Sequence, residues 1–356
     1  MEFFPYLREY NYQQLLFCND SGSGLKAIIA IHDTTLGPAL GGVRMMAFPS
    51  EEAAIKDVLR LARGMTYKAS ISGVNLGGGK SVIIGDPNKE KTEALLRAMG
   101  RFIHSLGGKY IAGQDIGTNS QDMATIAQET SFVTCVDEKA GGSGDPSFAT
   151  AYGVKVGMKA LLQEAFGRDS LSGRRIAIQG VGNVGYYVAK YSHEEGAKII
   201  ATDVSKEALK RVSNEFGAEI VDLDGIYSVN CDIFSPCAIG GVVNDVTIPK
   251  FKCDIIAGSA NNVLASNQHR LALQEKGILY GPDYLINSGG LIHCQEEILG
   301  GVIRNRVLEK VSRIYDQVLQ VIHRAKEERI STAEAADRIA EERIRKIQEI
   351  KRIWKG

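Results

Sequence analysis

The chain has 356 residues, 44% of them hydrophobic and 24% charged; that length exceeds what a single core usually serves, so two domains are expected in a globular protein of ordinary composition. Lys plus Arg and Asp plus Glu each total 42, giving zero net charge with no clustered basic face, which argues against nucleic acid or an anionic membrane as partner. No basic segment followed by an apolar one opens the sequence and no run of about 18 apolar residues occurs, while Cys18, Cys135, Cys231, Cys237, Cys253 and Cys294 are scattered without metal-ligand spacing. The expectation is a reduced, cytoplasmic chain with neither a membrane span nor a metal site.

Residues 26–32 form a β-rich run closed by Asp33-Thr34-Thr35. A helix opens at Pro49-Ser50, carries the apolar stripe Ala54, Val58, Leu61, Ala62 and Met65, and delivers Gly64-Met65-Thr66-Tyr67-Lys68 at its end. In Leu76-Gly77-Gly78-Gly79-Lys80, consecutive glycines imply either unusual backbone conformations or a close approach, and they present Lys80 at the start of a short buried strand, 81–84. That strand offers an ammonium group no polar partner, so Lys80 is a candidate for a depressed pKa and for a base; a phosphate-binding loop fails on spacing. A second helix, 91–106, stops at Gly107-Gly108 before a strand at 110–112. The Gly-rich stretch 139–146 has the composition of an interdomain hinge.

Beyond it, buried strands at 175–179, 199–202, 232–235, 254–257 and 278–280 alternate with helical or irregular connections, which implies a parallel, doubly wound sheet. The tail reads as a helix opened by Ser331 and Glu334, with an apolar stripe of Ile339, Ile344, Ile347, Ile350 and Trp354. Gly180-Val181-Gly182-Asn183-Val184-Gly185 follows the first of these strands and opens a helix, and Asp203 lies 23 residues after Gly180. In that context the glycines let a pyrophosphate reach backbone N–H groups at the helix N-terminus, and the acid accepts hydrogen bonds from ribose hydroxyls. Gly180, Gly182, Asn183, Val184, Gly185 and Asp203 are therefore cofactor candidates, and the charge of Asp203 favours NAD over NADP. A nicotinamide cofactor takes only the hydride, so other groups must hold the substrate and move protons. Lys68, Lys80 and Asp115 suit an α-amino acid: an ammonium for its carboxylate, a lysine as base, and a carboxylate for its amine.

Several further motifs, taken in order, make the chain resemble the glutamate/leucine/phenylalanine/valine dehydrogenases over nearly its whole length. They are Gly37-Pro38-Ala39-Leu40-Gly41-Gly42, Gly64-Met65-Thr66-Tyr67-Lys68, Leu76-Gly77-Gly78-Gly79-Lys80, Asp115-Ile116-Gly117-Thr118, Gly258-Ser259-Ala260-Asn261-Asn262, and Pro282-Asp283-Tyr284 through Gly289-Gly290. The resemblance implies that Lys68 binds the substrate carboxylate, that Lys80 is the base activating water, and that Asp115 exchanges protons at the amino group. It also implies that Asn261 and Asn262 lie beside the nicotinamide and the substrate, and it adds Gly41 to the substrate set and Thr150 to the cofactor set. Glutamate-specific members carry a lysine where Leu40 stands, and without that counter-ion burying a side-chain carboxylate is costly. Leucine-type members are similar to Ala and Val at 113 and 291, phenylalanine-type members to Gly and Leu. Gly113 and Leu291 thus point to an aromatic side chain, because the missing β-carbon leaves room for a ring and Leu291 can fold along its face. Cys294 is placed in the same pocket, although packing on a helix is the plainer reading of His293 and Cys294.

The resulting expectation is an α/β protein with an N-terminal α/β substrate-binding and oligomerisation domain, 1–138, and a Rossmann-type NAD-binding domain, 146–330, separated by a cleft, with a C-terminal helix, 331–356, packing on the first. Its activity is expected to be NAD-dependent oxidative deamination of an L-amino acid, L-phenylalanine first. The substrate is the small-molecule partner, and self-association as a dimer or octamer is implied by the resemblance. Branched-chain and tryptophan dehydrogenases are the same-class alternatives, and a catalytically silent NAD-binding regulator is the different-class one.

Overall fold

The computed structural model describes residues 3–350, so Trp354 of the expected apolar stripe lies outside the described residues. Two compact units emerge: residues up to Pro146 with His293–Val302 and the chain from Ala340, and Ser147–Ile292 with Ile303–Ile339. Where the sequence placed 331–356 with the first domain, the division falls instead at residue 340, and it assigns the segment His293–Val302 to the first unit.

In the first unit, α1 (Phe3–Glu9) precedes a hairpin of β1 (Gln14–Asp20) and β2 (Leu25–Asp33); β3 (Ala39–Met46), α2 (Glu51–Ile71), β4 (Gly77–Ile84), α3 (Glu93–Ser105), β5 (Tyr110–Gln114) and α4 (Ser120–Ile126) follow. The sheet order is β1-β2-β4-β3-β5, with β2 antiparallel to β1 and β4, and β3 parallel to β4 and β5. Successive strand residues point to opposite faces, and β2 shows the consequence. Its Ala27, Ile29 and Ile31 pack with Leu95, Met99 and Ile103 of α3, while Ile28 and Ala30 pack with Ala54, Ile55, Val58 and Leu59 of α2. The sheet is thereby covered on both faces.

The α2 helix begins where the sequence placed it: the Ser50 hydroxyl accepts from the Ala53 N–H at 3.1 Å, and Glu51 and Glu52 occupy its first turn. It runs on to Ile71, so residues 64–68 belong to the helix and Lys68 sits in its last turn. The strand after the glycines begins earlier than expected, since Gly77, Gly78 and Gly79 belong to β4, while the close approach expected of them is present. A β-carbon at Gly78 would lie 2.1 Å from Thr66 Oγ1, and one at Gly77 would lie 2.1 Å from the Asp33 carbonyl oxygen. Glycine serves here to let α2 and the neighbouring strand approach the backbone.

Behind this contact His32 is buried, its Nδ1 2.8 Å from Thr66 Oγ1 and its Nε2 donating to the Tyr10 carbonyl at 2.9 Å. Burial lowers its pKa to about 4, against smaller raising effects of the Tyr10 carbonyl and Asp33. The folded imidazole is therefore neutral where the unfolded one already binds a proton, so stability declines as pH falls from about 6.5 towards 4. Between pH 7 and pH 5 this group should cost on the order of 2 kcal/mol. Urea unfolding at the two pH values should show a His32→Gln variant losing that part of the dependence; parallel wild-type and variant profiles would contradict the assignment.

The second unit begins with α5 (Ser147–Phe166), β6 (Arg175–Gln179), α6 (Asn183–Glu194), β7 (Lys198–Thr202), α7 (Lys206–Phe216) and β8 (Glu219–Ile220). It continues through β9 (Ile233–Pro236), β10 (Ile255–Ile256), α8 (His269–Glu275), β11 (Leu279–Tyr280) and α9 (Asp283–Ile286). The helices α10 (Gly289–Ile298), α11 (Arg304–Ser312), α12 (Ile314–Glu328) and α13 (Thr332–Ile350) complete the described chain, and α10 and α13 each contribute to both units. Its strands are all parallel in the order β11-β10-β9-β6-β7-β8. This is the doubly wound dinucleotide order, whose direction reverses between β6 and β9, where such folds bind ligands. Ser331 opens α13 by accepting from the Glu334 N–H at 3.2 Å.

Candidate active site

In the first unit β3 lies between β4 and β5 and carries Gly41 and Gly42. A β-carbon at Gly41 would meet the Gly79 carbonyl oxygen at 1.8 Å, and one at Gly42 would meet Asp115 Cβ at 2.7 Å. These glycines let Lys80 from β4 and Asp115 from the turn after β5 come together. Lys80 is 6% exposed, and its Nζ lies 2.9 Å from Asp115 Oδ2. The expectation that Lys80 lacks a polar partner is thus overturned, because its partner comes from a distant strand end. Arg44 donates from Nε to the same oxygen at 2.8 Å and from Nη1 to Asp57 Oδ2 at 2.9 Å. Burial alone would raise the Asp115 carboxyl, but the Lys80 ammonium and the Arg44 guanidinium outweigh it and hold the group below the usual carboxylate range. The turn is fixed in turn by Thr118, whose hydroxyl accepts from the Asp115 N–H at 3.0 Å and donates to the Val43 carbonyl at 2.7 Å.

Lys68 is half-buried. The end of its helix is held by α13: the Arg343 guanidinium donates to the Ser70 and Val74 carbonyls at 3.0 Å, and the Ser70 hydroxyl donates to the Ala340 carbonyl at 2.7 Å. Leu40 is 3% exposed and brings no charge. A β-carbon built on Gly113 would lie 3.4 Å from Thr134 Cγ2 and 3.9 Å from Cys135 Sγ, ordinary contact distances. Glu297 organises this wall, accepting from the Cys135 N–H at 2.7 Å, from the Ser143 hydroxyl at 2.5 Å and from the Thr134 hydroxyl. His293, fully buried, places Nε2 2.9 Å from Ser143 Oγ, and Cys294 Sγ lies 3.2 Å from Cys135 Sγ. Both residues expected to be plain packing groups therefore have specific partners.

In the second unit Gly180 has φ +89° and a β-carbon there would lie 2.6 Å from Ala238 Cβ, while one at Gly185 would lie 2.0 Å from the Gly180 carbonyl oxygen. Gly182, by contrast, would have nothing within 4 Å of its β-carbon. Gly182 is the N-cap of α6 and no side chain caps the helix, and such a helix N-terminus favours an anion. Half-buried Asp203 follows β7, its two oxygens accepting from the Val181 and Ser205 N–H groups at 2.7 and 2.8 Å. Since an ionised carboxylate accepts about four hydrogen bonds, capacity remains for ribose hydroxyls. Thr150 lies in the first turn of α5, close to Gly289. Asn261 and Asn262 are exposed, the latter at φ +53°, and buried Asn287 donates to Asn261 Oδ1 at 2.8 Å and to the Ser259 carbonyl at 3.0 Å. Asn287 Oδ1 is buried and accepts no hydrogen bond among the described residues. Leu291 is 4% exposed. These residues fit a dinucleotide: an open glycine, an uncapped helix end, an acid at the next strand end and a spare buried acceptor.

Arg44, Thr134, Cys135, Ser143, Asn287 and Glu297 were not singled out from the sequence. Arg44 and Glu297 belong to no motif; the Asp115 partner of Arg44 is 71 residues away and the partners of Glu297 are 154 to 163 residues away. Asn287 does lie inside a motif, between Pro282 and Gly289. Among the described residues no cluster of acidic, His or Cys side chains could hold a metal, and no helix is long and apolar enough to cross a membrane.

Residues 13–132 match the family model described as Glu/Leu/Phe/Val dehydrogenase, dimerisation domain, and 141–210 and 202–351 match that of Glutamate/Leucine/Phenylalanine/Valine dehydrogenase. Leucine dehydrogenase of Geobacillus stearothermophilus is 57% identical over 344 residues, covering 97% of this chain and 94% of that protein. Phenylalanine dehydrogenase of Lysinibacillus sphaericus is 50% identical over 339 residues, covering 94% and 89%. The crystal structure of L-tryptophan dehydrogenase from Nostoc punctiforme superposes with a TM-score of 0.83 at 44% identity, covering 98% of this chain and 99% of that one. With both family models matched and a paired lysine and aspartate standing in one unit and a dinucleotide fingerprint in the other, the chain belongs to the glutamate/leucine/phenylalanine/valine dehydrogenase family and is an amino acid dehydrogenase.

Proposed function

We propose that the chain oxidatively deaminates a large apolar L-amino acid, L-phenylalanine first, to the 2-oxo acid and ammonia with NAD as cofactor. The observation that carries the choice is the wall at Gly113, where the absent β-carbon leaves space against Thr134 and Cys135, beside an uncharged and buried Leu40. Lys68 pairs with the substrate carboxylate. Lys80, once its ammonium has given up a proton, takes one from the attacking water, and Asp115, 2.9 Å from its Nζ, passes protons to and from the amino group as ammonia leaves. Arg44 keeps Asp115 ionised so that it can accept. NAD, when bound, supplies the hydride acceptor, and Asp203 with Gly180, Gly182 and Gly185 would hold it. Thr150 and Asn261 complete that set, and Asn262, Gly41, Leu291 and Cys294 the substrate set. A branched-chain substrate is the second reading, favoured by the 57% identity to a leucine dehydrogenase. Self-association is read from the first unit, whose family model is described as a dimerisation domain and whose edge strand β1 exposes Phe17. The cytoplasmic reading rests on cysteines that are all free.

Incubation of the protein with L-phenylalanine and NAD should yield phenylpyruvate, ammonia and NADH in equal amounts. Absence of NADH with every amino acid tried would leave a silent dinucleotide binder. Replacing Asp203 by Ser should relax discrimination against NADP by at least about tenfold in kcat/KM, since a repelling charge is removed. If the unmodified protein already prefers NADP, the cofactor reading fails.

A further inference from the structure

We propose that Cys135 and Cys294 are a modification site, a thiol pair that a hydroperoxide converts into a reversible disulfide in the wall beside Gly113. Their sulfurs are 3.2 Å apart, and a disulfide needs about 2.05 Å, so closure asks for a shift of roughly 1.2 Å. The backbone is already committed to this juxtaposition. Cys135 has φ +61°, a left-handed conformation uncommon for a residue with a β-carbon, and it is kept there by Glu297, which accepts its N–H at 2.7 Å and the neighbouring Thr134 hydroxyl as well. Cys294 is carried by α10 one turn before Glu297, so the same helix that fixes the Cys135 backbone brings the second sulfur.

The two thiols have different parts. The bond to Cys294, together with burial, holds the Cys135 thiol well above the usual range, which suits a resolving thiol better than a first target. Cys294 is the more exposed, 8% against 2%. Its sulfur takes one oxygen from the hydroperoxide, giving a sulfenic acid and releasing the corresponding alcohol, or water when the oxidant is hydrogen peroxide. Cys135 sulfur then attacks Cys294 sulfur, the S–O bond breaks, and the departing hydroxide takes the Cys135 proton and leaves as water. Two thiols are oxidised and one peroxide is reduced. Because Cys135 Sγ is 3.9 Å from where a β-carbon on Gly113 would stand, the cross-link alters the side-chain wall; this consequence rests on the pocket reading above.

The test is to treat the full chain with hydrogen peroxide, alkylate it in denaturant and map the unreduced peptides. The expected result is a loss of about 2 Da with the Cys135 and Cys294 peptides joined, reversed by dithiothreitol and absent in Cys294→Ala. Oxidation should also lower kcat/KM for phenylalanine by about tenfold, again reversibly and not in that variant. Alkylation of both cysteines after an exposure that oxidises the more accessible Cys237, or a cross-link only between Cys231 and Cys253, would overturn the proposal. A Cys135–Cys294 cross-link that leaves the rates on all amino acids unchanged would uphold the modification site and overturn the pocket reading. Selective phenylalanine turnover without any cross-link would do the reverse.

Discussion

Replacing Lys80 by Ala should lower the rate of oxidative deamination by about 10²–10⁴-fold, the usual contribution of a positioned acid or base, while NADH binding is retained. Cofactor binding should persist because the fingerprint lies in the other unit of the fold. Folding should also persist. Asp115 keeps a counter-ion in Arg44, which donates to the same oxygen at 2.8 Å, so the substitution does not strand a buried charge. Lys80→Arg supplies the charge but holds its proton at any working pH, and it should not restore the rate. Fluorescence titration with NADH alongside initial rates checks both halves; near-normal turnover in Lys80→Ala would remove it as the base.

The second large effect is expected in specificity. Gly113→Ala with Leu291→Val adds a β-carbon at the first position and moves branching closer to the backbone at the second, so under the proposed substrate set a planar ring should be excluded while a branched aliphatic chain still fits. The added β-carbon at 113 meets Thr134 Cγ2 at 3.4 Å, an ordinary contact, so the change acts on the space offered to the substrate with little cost to the fold. Methylene-sized changes discriminate by about 1–3 kcal/mol, and the phenylalanine-to-leucine ratio of kcat/KM should fall by at least about tenfold. An unchanged ratio would show that these residues do not set specificity.

What could be read in advance follows the range of the interaction concerned. Ser50 as a helix start and the strand, glycine turn, helix and acid of the dinucleotide motif are local patterns, and each lies where the sequence placed it. The short strand β8 was missed because it is only Glu219 and Ile220, both exposed at a sheet edge, too short for an alternating pattern. Gly77 to Gly79 were visible as glycines, but their reason is not local: Thr66 and Asp33 crowd them from another helix and another strand. The same limit hid the partner of Lys80. Asp115 was visible as a candidate, yet its pairing with both Lys80 and Arg44 depends on β3 lying between β4 and β5. Glu297, more than 150 residues from the backbone it fixes, leaves no trace in any periodicity or spacing.

The most direct test of the account is the ratio of kcat/KM for L-phenylalanine to that for L-leucine, measured on the unmodified protein with NAD. The proposed substrate set, with no β-carbon at Gly113 and no charge at Leu40, predicts a ratio above one; a ratio well below one, with leucine turned over efficiently, would contradict the aromatic reading and assign the chain to the branched-chain amino acids.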